Sequence, residues 1–513
     1  MKRLRAIFVL FDSLNRTAVG RYGANAVKTP NFDRFAERAT TFDSHFAGSL
    51  PCMPARRDLH TGRLNFMHRS WGPLEPFDNS FPELLGKCGV HSHLITDHLH
   101  YFEDGGSTYH TRFRTWDFIR GQEDDPWKAM VQPPLERFKE MYSEKQYDFD
   151  DPWKRMQSAV NREFVRGEHE YPGPRCFKSA LEFLDLNRAA DDWFLMVECF
   201  DPHEPFAAPE RFKEQYATGW EGGVLDWPKY EKVVDSPEEI AEIRANYAAL
   251  VAMCDEYFGR LLDYFDEHDL WKDTAIILST DHGFLLAEHD WWGKNRMPYY
   301  AEISQIPLII YHPEHAGGGG TRRSALTQTI DLMPTFLDLF GIDVPQEVQG
   351  HSLLPLLKED RSMRDVAIFG VFGGPIGSTD GRYTYYLYPE DLYGPDLHEY
   401  TLMPMHMTSL FTPEELKTSA LTAGFNFTKN MPVLRIDALR DARRIPNNDR
   451  VGWSVDLGTT LYDLHLDRTQ MRPFRDSEIE LRLSEGIRSV LIAHDAPEEY
   501  YRRYGLAAMD VGS

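Results

Sequence analysis

Residues 6 to 12 read AIFVLFD, an unbroken apolar run that ends in Asp12. Such a run is typical of a strand that is buried on both faces of a sheet. The pattern returns at residues 193 to 201, WFLMVECFD, and at residues 274 to 283, TAIILSTDHG. Each stretch reaches an aspartate where its strand is expected to stop. We therefore predict three strands of one buried sheet with acidic groups at their ends.

Helical patterns separate these strands. One helix is predicted to begin at Thr29 and Pro30, and a longer one at Ser236 and Pro237. The longer segment repeats apolar residues at helical spacing, and Cys254 lies among them as a predicted core residue. Strands that alternate with helices indicate an α/β fold, with a large mostly parallel sheet and helices on both of its faces. Ligands of such folds gather at the carboxyl ends of the strands.

The sequence changes in character beyond about residue 370. Residues 378 to 394, STDGRYTYYLYPEDLYG, are rich in tyrosine and turn residues, which favours a small antiparallel sheet. We therefore predict a catalytic α/β domain over residues 1–370 and a smaller C-terminal α+β domain over residues 371–513. The stretch from about residue 104 to 175, rich in Trp, Tyr, Arg and acidic residues, is expected to overlie the crevice and select the substrate.

Composition and charge exclude several classes of partner. The formal net charge of −24 argues against nucleic acid and against anionic membranes, so an anionic substrate must be held by local charge. The five cysteines form no CxxC pair and are odd in number, which favours reduced thiols and a cytoplasmic location. The opening MKRLRAIFVLF lacks the cleavage site of a signal peptide, and no apolar run is long enough to span a bilayer. The oligomeric state stays open, and a homo-oligomer is one option.

Polar residues follow the predicted strands. Asp12 follows the first, His203 lies in FDPHEPF after the second, and Asp281 and His282 follow the third. Carboxylate and imidazole ligands together suit a divalent cation such as Ca²⁺, Mn²⁺ or Mg²⁺. A strand-terminal aspartate is also a common helix cap, which is the alternative reading of each residue taken alone.

A lone cysteine stands at the start of another predicted helix, in GSLPCMPARRDLHTGRLN at residues 48 to 65. Pro54 suits the first helical turn and Gly62 suits the helix end. Cys52 would then lie at a helix N-terminus, where backbone N–H groups stabilise an anion or lower a thiol pKa. The alternative is an ordinary small buried core residue.

Taken together, these stretches resemble a known family. CMPAR followed by LHTGR is similar to the CxPxR signature and trailing TGR of the type I sulfatases, which belong to the alkaline phosphatase superfamily. KTPNFDRFAERATTF resembles the family's segment upstream of that cysteine. STDHG, WGK with Lys294 and ISQIPLIIYHP resemble its second metal segment, its lysine and the strand that follows. LYDLHLDRTQ, residues 461 to 470, resembles its closing motif, so the resemblance covers nearly the whole chain.

The resemblance implies an alkaline-phosphatase-like fold and a modified nucleophile. Cys52 would be oxidised to formylglycine by a formylglycine-generating enzyme, and the hydrated aldehyde would attack sulfur with one hydroxyl and release sulfate with the other. Asp12, Asp281 and His282 would bind one divalent metal ion together with the modified Cys52. Ca²⁺ is favoured, and Mn²⁺ is the alternative because a histidine ligand suits the softer ion.

The remaining roles follow from the same resemblance. Arg56 would hold the formylglycine through its donor fork. His203 and Lys294 would contact the ester oxygens and protonate the leaving group. The expected activity is hydrolysis of aryl or sugar sulfates, which are small anionic esters.

Two positions depart from the family pattern. Ser13 stands where many sulfatases have a second aspartate. LITDHLHYF stands where the family often has GKWH, so His98 and His100 replace a lysine and a histidine. Both would face the substrate if the segment is extended, although core or surface histidines are the alternative. The missing lysine leaves room for a phosphonate monoester or phosphodiester hydrolase that uses the same formylglycine. A non-catalytic binding homologue is disfavoured because the other chemical positions are filled.

Overall fold

The computed structural model describes residues 4–23, 26–149, 154–438, 452–456 and 458–506. Its strands are β1 (Arg5–Phe11), β2 (Thr40–Phe46), β3 (His91–Thr96), β4 (Thr115–Phe118), β5 (Trp193–Cys199), β6 (Thr274–Ser279), β7 (Leu285–Leu286), β8 (Trp292–Gly293), β9 (Arg296–Met297), β10 (Leu308–Tyr311), β11 (Arg322–Gln328), β12 (Ala367–Gly370), β13 (Ile376–Thr379), β14 (Tyr383–Leu387), β15 (His398–Thr401), β16 (Ala420–Thr422), β17 (Val433–Asp437), β18 (Ser454–Val455) and β19 (Thr460–Asp463).

The α-helices are α1 (Pro30–Arg38), α2 (Cys52–Thr61), α3 (Phe81–Lys87), α4 (Ser107–His110), α5 (Leu135–Met141), α6 (Lys154–Arg162), α7 (Pro172–Leu186), α8 (Glu210–Lys213), α9 (Pro237–His268), α10 (Ala301–Ser304), α11 (Leu332–Leu339), α12 (Leu354–Lys358), α13 (Pro413–Lys417), α14 (Ser477–Ala493) and α15 (Glu498–Arg503). The predicted helix starts are confirmed, because Thr29 and Ser236 are the N-cap residues of α1 and α9. Within the described ranges, no helix is both long and apolar enough to cross a membrane.

The large sheet has eight strands in the order β11-β2-β10-β6-β1-β5-β3-β4. The three predicted strands lie side by side in its centre, where β1 pairs in parallel with both β5 and β6. β10 is the exception, since it runs antiparallel to β6 and β2. The chain leaves β6 and enters β10 at the same edge of the sheet, so this connection needs no crossover helix. The predicted mostly parallel sheet is confirmed.

Helices cover both faces of the large sheet, as predicted. Alternate residues of a strand point to opposite faces. Ile7 and Val9 of β1 pack in one core with α1, α7 and α9. Phe8 and Leu10 pack in a second core with α2, α3 and α11. Cys254 lies in the first core and is buried, which confirms its prediction.

The C-terminal part contains two smaller antiparallel sheets. One has the order β12-β13-β14-β19, and the other β15-β17-β16. Leu483 and Ile487 of α14 pack against the first sheet through Ile368 and Ile376. The antiparallel sheet predicted for residues 378–394 is confirmed by β13 and β14. The domain division at residue 370 stays a prediction, and it falls at the end of β12.

The parallel strands β1, β5 and β6 end at the same edge of the sheet. The polar residues that follow them therefore meet there, as the apolar runs predicted. α2 begins at Cys52 and ends at Gly62, whose φ of 65° is a left-handed conformation that suits glycine. All five cysteines are free thiols.

Candidate active site

Cys52 is the first residue of α2 and lies against His282. Its Sγ atom is 3.1 Å from His282 Nε2, and only 2% of the residue is exposed. Burial raises the pKa of the Cys52 thiol, and the positive charge of Lys294 does not offset this effect. The expectation that the helix N-terminus lowers the thiol pKa is therefore wrong, because burial disfavours the charged thiolate and the carboxylates of Asp12 and Asp281 disfavour it further. In this structure the thiol is neutral.

Four predicted ligands converge beside this thiol. Asp12, Cys52, Asp281 and His282 each offer one ligand atom, and these atoms lie within 4.8 Å of one another. A nearby buried nitrogen, His98 Nε2, has no hydrogen-bond partner among the described residues and lies 3.6 Å from Asp12 Oδ2. Mixed oxygen and nitrogen donors of this kind fit a divalent cation.

Arg56 holds the carboxylates of this cluster in place. Its Nη2 donates to Asp12 Oδ2 at 2.8 Å, its Nη1 to Asp281 Oδ2 at 2.7 Å, and its Nε to Glu198 Oε1 at 2.6 Å. All four side chains are buried. One guanidinium faces three acidic groups, so a divalent cation would balance the remaining charge. That Arg56 also contacts formylglycine stays a prediction.

Asp12 is held as a carboxylate. Burial alone would raise its pKa, but the charges of Arg56 and Lys294, together with the neighbouring His98 side chain, hold the pKa well below its ordinary value. Ser13 Oγ donates to Asp12 Oδ1 at 2.7 Å, and the Ser13 backbone N–H donates to Asp281 Oδ1 at 3.1 Å. Ser13 therefore orients two predicted ligands.

His203 and Lys294 form a hydrogen-bonded pair. Lys294 Nζ lies 2.6 Å from His203 Nε2, and His203 Nδ1 lies 2.6 Å from the Glu204 carbonyl oxygen. Burial and the charge of Lys294 lower the pKa of His203, so its imidazole is neutral. Burial would lower the pKa of Lys294 as well, but the carboxylates of Glu204, Asp12 and Asp281 raise it above its ordinary value. Lys294 thus donates to Nε2, and Nδ1–H donates to the carbonyl.

His98 and His100 lie near the cluster in different roles. β3 ends at Thr96, and a short 3₁₀ helix over Leu99–Phe102 follows, so the segment is not the extended chain that we assumed. His98 is fully buried beside Asp12. His100 lines the cavity above Cys52, with its Nδ1 2.6 Å from Glu103 Oε2. Substrate contact by either histidine stays a prediction.

Two further acidic residues support the loops of the site. Gln122 Nε2 donates to Asp97 Oδ2 at 3.0 Å and to Asp201 Oδ1 at 2.9 Å. Burial raises the pKa of both carboxyl groups, in the case of Asp201 to about 7. Asp201 ends the second apolar run, but it does not belong to the metal cluster. Through Gln122 it connects the loop that carries His203 with the loop that carries His98.

Glu198 is the site residue that the sequence analysis missed. It lies inside β5, where it accepts from Arg56 and from the Tyr101 hydroxyl at 3.2 Å. Its signal in the sequence was a single acidic residue within the apolar run WFLMVECF. A charge in such a run requires a buried partner.

A cavity of about 300 Å³ opens above Cys52. His203 and Lys294 lie with Cys52 at its base, and aromatic side chains form much of its wall: Trp71, Trp227, Tyr230 and Trp453. Glu123 and Arg155 also line it. Both come from the stretch that we expected to overlie the crevice.

The comparison with known families gives one match. The profile of the family described as Sulfatase matches residues 5–342. This range includes every predicted catalytic and metal-binding residue.

Individual relatives are more distant. The multifunctional alkaline phosphatase superfamily protein PehA of Trinickia caryophylli is 27% identical over 386 residues, or 65% of this chain and 72% of the relative. N-acetylglucosamine-6-O-sulfatase of Bacteroides thetaiotaomicron is 26% identical over 417 residues, or 70% and 72%. The phosphonate monoester hydrolase of Agrobacterium radiobacter shares the fold, with a TM-score of 0.64 at 19% identity over 96% of each chain.

Proposed function

This chain belongs to the sulfatase family and is a sulfuric ester hydrolase, and on that premise we propose that it cleaves aryl or sugar sulfates with a formylglycine made from Cys52. The observation that carries the proposal is the convergence of Asp12, Asp281 and His282 on Cys52, which itself lines a cavity. His203 and Lys294 line the same cavity.

The proposed cofactors are a divalent metal ion and the modified residue. Asp12, Asp281, His282 and residue 52 would hold the metal, with Ca²⁺ favoured and Mn²⁺ as the alternative. When bound, the metal would supply Lewis acidity, which lowers the pKa of a coordinated hydroxyl. Formylglycine at residue 52 would supply two hydroxyls on one carbon, one for attack and one for product release. Its formation requires a formylglycine-generating enzyme.

The side chains around residue 52 have separate tasks in this proposal. Arg56 fixes the carboxylates of Asp12 and Asp281 through hydrogen bonds, and its charge helps to keep Asp12 ionised. Lys294 carries a proton into the cavity, and neutral His203 receives a hydrogen bond from it at Nε2. The pair can therefore place a proton on the leaving-group oxygen when the ester bond breaks.

Phosphonate monoester or phosphodiester hydrolysis is the second candidate function. A sulfate monoester and a phosphate diester each present one negative charge around a tetrahedral centre, so one site can accept both. The multifunctional name of the first relative supports this candidate. Histidines at residues 98 and 100, where many sulfatases have a lysine and a histidine, support it as well, since burial lowers the pKa of His98 and this position then lacks the permanent charge of a lysine.

A substrate panel separates the two candidates. Aryl sulfates, phosphate diesters and phosphonate monoesters would be assayed at equal metal concentration and compared by kcat/KM. We expect the highest value for sulfates. A higher value for phosphonates or diesters would replace the sulfatase proposal with the second candidate. We also propose a cytoplasmic location, which the five free thiols support.

A further inference from the structure

Arg155 lies in the first turn of α6 and lines the cavity above Cys52. The guanidinium carbon lies 4.7 Å from the centre of the Trp227 ring. Nη1 donates to the carbonyl oxygens of Gln146 and Trp227. The ring and these two bonds fix the direction of the guanidinium.

The charge of Arg155 lacks a close counter-ion in the described part of the chain. Arg56 and Arg162 each have a carboxylate within 3 Å, whereas the hydrogen bonds that Arg155 makes to described residues go to two neutral carbonyls. Burial lowers the pKa of Arg155, and Tyr147, Glu204, Asp226 and Glu123 offset only part of this effect. A half-buried cation of this kind gains free energy when an anion arrives.

The rest of the cavity fits one sugar ring. Its volume of about 300 Å³ is small for a ligand site, so the organic part of the substrate is limited in size. Trp71, Trp227 and Trp453 offer apolar ring faces, while Asn295 and Glu123 offer polar groups between them. A sugar has an apolar ring face and also hydroxyls that can bond to these polar groups. A plain aryl group has an apolar face but no hydroxyls.

We infer that Arg155 binds a second anionic group on the organic part of the substrate. This inference rests on the proposed sulfatase function. The preferred substrates are then monosaccharide sulfates that also carry a carboxylate or another sulfate. The reacting sulfate lies over residue 52, and the second anion lies against the guanidinium of Arg155. The reaction itself is unchanged, because Arg155 contacts only the part of the substrate that leaves.

The test compares substrates with one and two negative charges. Glucose monosulfates would be assayed against glucose disulfates and glucuronic acid monosulfates, with wild type and Arg155→Gln. The wild type should favour the doubly charged sugars. Arg155→Gln should lose about 10- to 100-fold in kcat/KM on them, as expected for one charged hydrogen bond. The loss on glucose monosulfates should be much smaller than this, because they present no second anion to residue 155. The disulfate and glucuronate arms show which anion Arg155 prefers.

Control variants separate recognition of the second anion from effects on folding and from the loss of one positive charge anywhere on the protein. Arg155→Lys keeps the charge and should retain much of the preference. Arg475→Gln removes the same charge from an exposed arginine paired with Glu480, and should not alter the preference. Calorimetric binding of the same sugars to Cys52→Ala and to Cys52→Ala/Arg155→Gln gives a readout that needs no turnover. In this comparison, Arg155→Gln should raise the Kd of the doubly charged sugars and should not raise the Kd of the singly charged ones.

An aryl monosulfate arm reports the proposed function separately. If neither this ester nor any of the sugar sulfates is hydrolysed by protein that carries formylglycine, the sulfatase proposal fails, and the binding experiment still tests Arg155. Equal losses on singly and doubly charged sugars, or no preference in the wild type, would overturn the role of Arg155.

Discussion

Replacement of Arg56 by lysine should destabilise the protein far more than the same change at the surface. The Arg56 guanidinium makes three bonds to buried carboxylates, at 2.6, 2.7 and 2.8 Å. A lysine ammonium keeps the charge but cannot reach three acceptors that are arranged around a planar fork. Loss of two charged bonds, each worth about 1.5–3 kcal/mol, would lower the free energy of unfolding by about 3–6 kcal/mol. That is a large part of the roughly 5–15 kcal/mol typical of a folded protein.

The assay is urea unfolding followed by tryptophan fluorescence, in the presence of a chelator so that metal does not mask the effect. Arg211→Lys is the matched control. Arg211 also bonds to two carboxylates, Glu168 and Glu256, but its side chain is 42% exposed. Its change should cost about 1 kcal/mol or less. If the two variants lose similar amounts, burial does not set the strength of the Arg56 network and our reasoning is wrong.

Four further predictions follow from the site and its surface. Asp281→Ala should lose bound metal and activity together, as measured by elemental analysis and turnover; full activity after exhaustive chelation would exclude a metal enzyme. Alanine variants of His203 and Lys294 should lose far more kcat/KM on esters with poor leaving groups than on activated aryl esters, and equal losses would remove the acid role. Mass spectrometry should find formylglycine at residue 52 of active protein, with activity proportional to the converted fraction, whereas Cys52→Ser should turn over poorly; rapid turnover by that variant would refute the mechanism. A hydrogen bond from Arg211 lowers the pKa of Glu168 from 4.5 to about 2. Glu168→Gln should therefore be less stable than the wild type above pH 4.5, by about 1 kcal/mol or less. This difference in urea midpoints should vanish as the pH falls towards 2.

The sequence predicted the central sheet because its strands are short, unbroken apolar runs, and such runs fit a buried strand better than an amphipathic helix. It also predicted the helix starts at Thr29 and Ser236, since capping is a local property of the chain. The direction of β10 was beyond such reasoning. An apolar pattern does not indicate whether a strand is parallel or antiparallel to its neighbours. The direction of β10 depends on the long connection from β6, which carries Lys294.

The metal-binding part of the site could be predicted because its residues lie directly after strands, where their side chains have few other roles. Asp12, Asp281 and His282 follow strands and meet at one edge of the sheet, as their positions indicated. The acidic residue in the run WFLMVECF indicates that Glu198 needs a buried partner, but that partner, Arg56, lies far away in the chain and cannot be identified from the run itself. The thiol pKa of Cys52 was misjudged because the depth of burial comes from packing of the whole domain.

The burial of α2 has a consequence for how active protein is made. All ten residues of α2 are buried, so the folded chain hides the segment that a modifying enzyme must grasp. Under the proposed mechanism, the enzyme would therefore have to oxidise Cys52 before the chain folds, and each new chain would have one opportunity for this step. A chain that folds first keeps its thiol for as long as it stays folded. The yield of active protein is then set by relative rates during synthesis, and slower folding or more modifying enzyme should raise it.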